Sequence, residues 1–83
     1  MKIYQFDLIL SGLRQATPED LAVLERELKI QGCEHPNPRQ DKYGVRVTVA
    51  VNADTFTQAI FQSTQYISAI KGYHLSVRSV EFN

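Results

Sequence analysis

The chain has one cysteine, Cys33, no tryptophan, three prolines and no excess of either charge. A lone cysteine cannot close an intrachain disulfide, so the fold must stand on packing alone, and a reducing, cytoplasmic location is expected. Nine basic residues balance nine acidic ones. That balance argues against long-range attraction to nucleic acid or to an anionic membrane. No apolar run is long enough to span a bilayer. Gln5 and Asp7 interrupt the apolar N-terminal stretch, so no signal peptide is expected. There is no Gly-x-Ser-x-Gly elbow, no phosphate-binding glycine loop and no dinucleotide fingerprint. No catalytic residue and no cofactor is therefore assigned, and the reading leans away from an enzyme.

What is present suits one small domain over residues 1–83, with an ordinary 43% hydrophobic content. Such a domain buries only roughly 60–65% of its unfolded surface, so self-association would help it.

Hydrophobic periodicity divides the chain. Over Lys2–Leu10, Tyr4, Phe6, Leu8 and Leu10 share one face, while Ile3, Gln5, Asp7 and Ile9 share the other. This is a strand whose even face meets the core. Thr17-Pro18-Glu19-Asp20 then signals a helix start: a capping hydroxyl, a proline suited to the first turn, and two acids at the positive end of the dipole. Leu21, Leu24 and Leu28 follow with helical period, and Gly32 suits the C-terminal cap.

Cys33–Lys42 holds Pro36 and Pro38, so it reads as an irregular edge strand leading to a hairpin turn. Val45, Val47, Val49 and Val51 alternate with Arg46, Thr48 and Ala50 in the clearest strand. A second helix is expected over Phe56–Lys71, capped by Asp54 or Thr55 with Gln58, and closed by Gly72. A last strand is expected over Tyr73–Phe82. Its apolar parity changes between Val77 and Val80, which predicts a bulge near Arg78-Ser79.

Two strand-helix-strand halves of similar length predict a ferredoxin-like βαββαβ α+β sandwich, with both helices on one face of an antiparallel sheet. The alternative, should Cys33–Lys42 be only a loop, is a three-stranded βαβαβ domain. In the four-stranded arrangement the first and third strands are central. The helix-free face then displays Ile3, Gln5, Asp7 and Ile9, with Arg46, Thr48 and Ala50 beside them and His74, Ser76 and Arg78 from the last strand. Asp7 is expected between Arg46 and Arg78. A solvated lattice of ion pairs and a binding surface centred on Ile3 and Ile9 are both open readings of that face.

The element order and two segments resemble the RNA-recognition motif. Ile3-Tyr4-Gln5-Phe6-Asp7-Leu8 is similar to its first-strand hexamer, with Tyr4 at the stacking position. Lys42-Tyr43-Gly44-Val45-Arg46-Val47-Thr48-Val49 is similar to part of its octamer, although valine and arginine occupy the later aromatic positions. The resemblance implies single-stranded nucleic-acid binding through Tyr4, Lys42, Tyr43 and Arg46. Ser11-Gly12-Leu13 after the first strand is similar to the ligand turn of ACT domains. That resemblance implies a small-ligand sensor, usually dimeric.

Cys33-Glu34-His35 supplies at most two metal ligands, fewer than zinc takes from a protein, so no metal site is assigned. Tyr73-His74 is the remaining candidate for acid–base chemistry, with no partner arranged by the sequence.

Finally, Phe6-Asp7-Leu8, Gly32-Cys33, Asp54-Thr55-Phe56 with Ala59-Ile60, and the Val77–Glu81 ending resemble short, uncharacterised bacterial proteins. That resemblance implies a small accessory or regulatory domain of the antitoxin, inhibitor or phage-defence kind, acting by contact with another protein. The leading expectation is such a non-enzymatic binding module. Its partner is another protein, a second copy being one candidate, and its contact residues are Ile3, Asp7, Ile9, Arg46, Thr48 and Arg78.

Overall fold

The computed structural model describes residues 2–82; the two terminal residues of the chain lie outside it. The elements run β1 (Lys2–Ser11), α1 (Pro18–Ile30), β2 (Glu34–Asp41), β3 (Gly44–Ala53), α2 (Phe56–Ser68) and β4 (Ser76–Glu81). All strand pairs are antiparallel and the order across the sheet is β2-β3-β1-β4. This is the ferredoxin-like arrangement, with the all-valine strand and β1 in the centre.

Local chemistry explains the element ends. The Thr17 hydroxyl accepts from the Asp20 amide, and the Asp20 carboxylate accepts from the Thr17 amide, closing a capping box. At the other end of α1 the Gly32 amide donates to the Lys29 carbonyl and the Cys33 amide to the Leu28 carbonyl. This double bond pattern at a glycine with φ +98° is a Schellman cap. At α2 the Thr55 hydroxyl accepts from Gln58, while the Gln58 side chain accepts from the Asp54 amide instead of the Thr55 amide.

The core lies between the sheet and the helices. Phe6, Leu8 and Leu10 from β1 and Val45, Val47, Val49 and Val51 from β3 are buried against Leu24 and Leu28 of α1 and Ile67 of α2. Gln31 joins the helices by donating to the Tyr66 carbonyl.

Two boundaries differ from expectation by three residues each. Helix α2 stops at Ser68, not Lys71, and a turn carries the chain to Gly72. Strand β4 starts at Ser76, not Tyr73, because Tyr73 leaves the sheet and donates to the Asp20 carboxylate at the start of α1. As expected, Glu34–Asp41 is an edge strand, with its irregularity confined to the stretch around Pro36. The bulge is where parity placed it: Ser79 pairs with Ile9 and Val77 with Leu10, leaving Arg78 as the extra residue. No helix of the described residues is long and apolar enough to cross a membrane.

Candidate functional site

The helix-free face of the sheet carries an ion-pair lattice centred on Arg46. In β1, Asp7 lies opposite Thr48 of β3 and Glu81 of β4, while Arg39 of β2 lies opposite Arg46. These registers bring five charged side chains from all four strands together. Arg46 donates to Asp41 at 2.7 Å, Glu81 at 2.7 Å and Asp7 at 3.0 Å. Asp7 also accepts from Thr48 at 2.6 Å and Arg39 at 3.2 Å.

Asp7 is 3% exposed, yet both carboxylate oxygens are hydrogen-bonded, Oδ1 by Thr48 and Oδ2 by Arg39 and Arg46. Burial alone pushes its carboxyl pKa up. Hydrogen bonds from Thr48 and Arg46 and the positive charges of Arg39 and Arg46 outweigh burial and hold it below the ordinary carboxylate range. Bonding to Arg46 likewise lowers Asp41.

The structure revises the expected contact surface. Asp7 and Ile9 are buried, Ile9 at 5% exposure, so neither offers an accessible anchor. Over Asp7 the long side chains of Arg39 and Arg46 cover a face that carries no helix. Arg46 and Thr48 are half-buried and committed to the lattice. Arg78 does not flank Asp7: the strand register sets Glu81 opposite Asp7 and leaves Arg78 at the bulge beside Ile9 and Leu10, and the second cation on Asp7 is Arg39 of β2. His74 lies before β4 and outside the sheet. Of the expected apolar pair only Ile3 is exposed, at 63%.

The residues proposed to stack bases do not share a face. Tyr4 points to the helix side, its ring 5.6 Å from that of Phe56. Arg46 is held by three carboxylates. Lys42 and Tyr43 sit together in the β2–β3 turn, with the Lys42 ammonium 5.0 Å from the Tyr43 ring centre.

Two accessible regions lie at opposite ends of β1. At its N-terminal end β1 outruns β4: the β1–β4 pairing covers Asp7–Ser11 only. Among the described residues, no strand pairs with Lys2–Phe6 on that side. Ile3 is exposed on one face of this edge. On the other, Phe82 packs 4.8 Å from Phe56 and 6.4 Å from Phe6, and remains 58% exposed.

At the C-terminal end of β1 lies a cleft of about 540 Å³, framed by Ser11–Gln15, the Lys42-Tyr43 turn and Arg78. Gln40 holds its walls together. Its side-chain nitrogen shares two N–H groups among the carbonyls of Arg14, Asp41 and Gly44, and its oxygen accepts from Ala16 at 2.7 Å. Neither Arg14 nor Gln40 stands out in the sequence. The Ser11-Gly12-Leu13 turn was the available pointer, and it gives no sign of which distant residues it meets.

The other candidates separate. Cys33 is buried, and burial pushes its thiol pKa up, away from a reactive thiolate. Among the described residues no three His, Cys, Asp or Glu side chains are placed to hold a metal ion. Tyr73 is tied to Asp20, whose hydrogen bond raises its pKa. Compared with known proteins, the chain matches no family model, no curated protein and no solved structure.

Proposed function

We propose that this protein is a small non-enzymatic binding module whose partner, another protein, adds an extended segment to the open half of β1. The observation that carries this reading is the unpaired Lys2–Phe6 edge with exposed apolar side chains on both of its faces. An added strand alternates its side chains between the two faces. It would meet Ile3 on one and Phe56 with Phe82 on the other. Main-chain hydrogen bonds supply affinity in such strand addition, and the flanking pockets supply selectivity. Regulatory, inhibitor and antitoxin roles all operate through contacts of this kind. A second copy is one occupant that fits, since a two-fold axis would set β1 antiparallel to itself.

The test compares wild type with Ile3→Asp and Phe82→Asp in two assays, sedimentation velocity of the pure protein and partner capture from native lysate. Both side chains are exposed, so circular dichroism should not change. Self-association or a stoichiometric captured protein, lost in both variants, supports the reading. Equal association by the variants removes this edge as the site. A monomer that captures nothing removes the protein-contact function itself.

A further inference from the structure

The cleft at the other end of β1, more than about 20 Å from Ile3, gathers positive charge without acid. Arg14 comes from the β1–α1 loop, Lys42 from the β2–β3 turn and Arg78 from the β4 bulge, and all three line it. No aspartate or glutamate does. Among the described residues, none of the three forms an ion pair. In a chain with nine residues of each sign, this is a local cationic site against a neutral background. Like charges brought together without counterions repel, and a bound anion relieves that repulsion.

The cleft is also held in shape without a ligand. Gln40 bonds the Arg14 loop to the hairpin turn, and Gly12 packs directly under the His74 carbonyl. Its volume falls within the range of small-molecule sites. Guanidinium groups match the paired oxygens of phosphate, and lysine adds a point charge. Tyr43 stands at the wall, 54% exposed, with ring surface to stack on a flat group.

The surroundings favour a compact ligand over a polymer strand. The adjoining sheet face sets Asp7, Asp41 and Glu81 against Arg39 and Arg46. It therefore offers no basic track along which a nucleic-acid backbone could continue. We infer that this cleft binds a small phosphorylated ligand of the nucleotide class, its phosphate between Arg14, Lys42 and Arg78 and its ring against Tyr43. The site is independent of the protein-contact edge.

The experiment titrates the full chain with adenosine 5′-monophosphate, adenosine and inorganic phosphate, followed by backbone amide shifts. The nucleotide should produce saturable shifts at Ser11–Gln15, Lys42, Tyr43 and Arg78, and adenosine should produce none. Arg14→Gln and Arg78→Gln should each weaken nucleotide binding by about ten-fold. Both side chains are exposed, so the fold should survive. Tyr43→Ala should weaken the nucleotide and leave inorganic phosphate unchanged. Any of four results would overturn the inference: no saturable shift with the nucleotide, equal binding of adenosine, undiminished binding in the double arginine variant, or tighter binding of a single-stranded oligonucleotide lacking a terminal phosphate.

Discussion

Gly12→Ala should destabilise the protein by about 3 kcal/mol, a loss measurable as a lowered urea midpoint. Two effects combine. Gly12 has φ +105°, where a side chain is strained in any surroundings. A Cβ there would also run into the backbone carbonyl oxygen of His74, which cannot swing aside as a flexible side chain can. Gly32 is the control. Its φ is +98°, but a Cβ would meet nothing within 4 Å. Gly32→Ala should therefore cost about 1 kcal/mol, from strain alone. Equal losses at the two positions would mean that the Gly12–His74 contact does not constrain the loop. Since that loop forms one wall of the cationic cleft, Gly12→Ala should also disturb the amides of Ser11–Gln15.

Asp7→Asn should cost about 2–3 kcal/mol at neutral pH, because it leaves Arg39 and Arg46 facing an uncharged, partly donating amide. The figure stays below that for a fully buried pair because Arg39 is 41% exposed and Arg46 keeps Asp41 and Glu81. The pH dependence identifies the cause. The folded-state pKa of Asp7 is lowered, so the unfolded chain binds its proton first as pH falls. The stabilisation is present above the unfolded carboxylate pKa, about 4, and is lost as pH falls through the folded value. Wild type should thus lose stability steeply on the acid side. The variant should start lower at pH 7 and converge with wild type as the pH drops. Parallel curves would show that Asp7 is not what couples this fold to acid.

Much of the fold was legible from periodicity and caps. Alternation placed Phe6, Leu8 and Leu10 inward with the four valines of β3, because a strand turns every second side chain to the same face. Thr17 with Pro18 and Asp20 marked the start of α1, since those groups satisfy amides that a helix leaves open. The parity change between Val77 and Val80 marked the bulge.

The candidate sites were less legible. Reading alternation alone made Ile9 and Asp7 look exposed, because the helix-free side of a sheet is ordinarily wet. The burial of Asp7 depends on Arg39 and Arg46 reaching over from other strands, which alternation does not describe. Likewise, Arg78 looked like a partner of Asp7 because residue parity gives the face of a strand but not its register, and the register set Glu81 opposite Asp7 instead.

By itself, then, the amino-acid sequence determined the order of elements, their inward faces and their ends, because these follow from interactions among residues close along the chain. The expected strand order already brought Asp7 beside Arg46, but tertiary structure alone decided which other charges meet. Asp7, Arg39, Arg46 and Glu81 converge through strand registers, while Arg14, Lys42 and Arg78 converge through a loop, a turn and a bulge. A shift of one residue in register sends a side chain to the opposite face, so no local pattern could have matched Arg39 and Glu81 to this lattice, or the three cleft cations to one another, before the sheet was assembled.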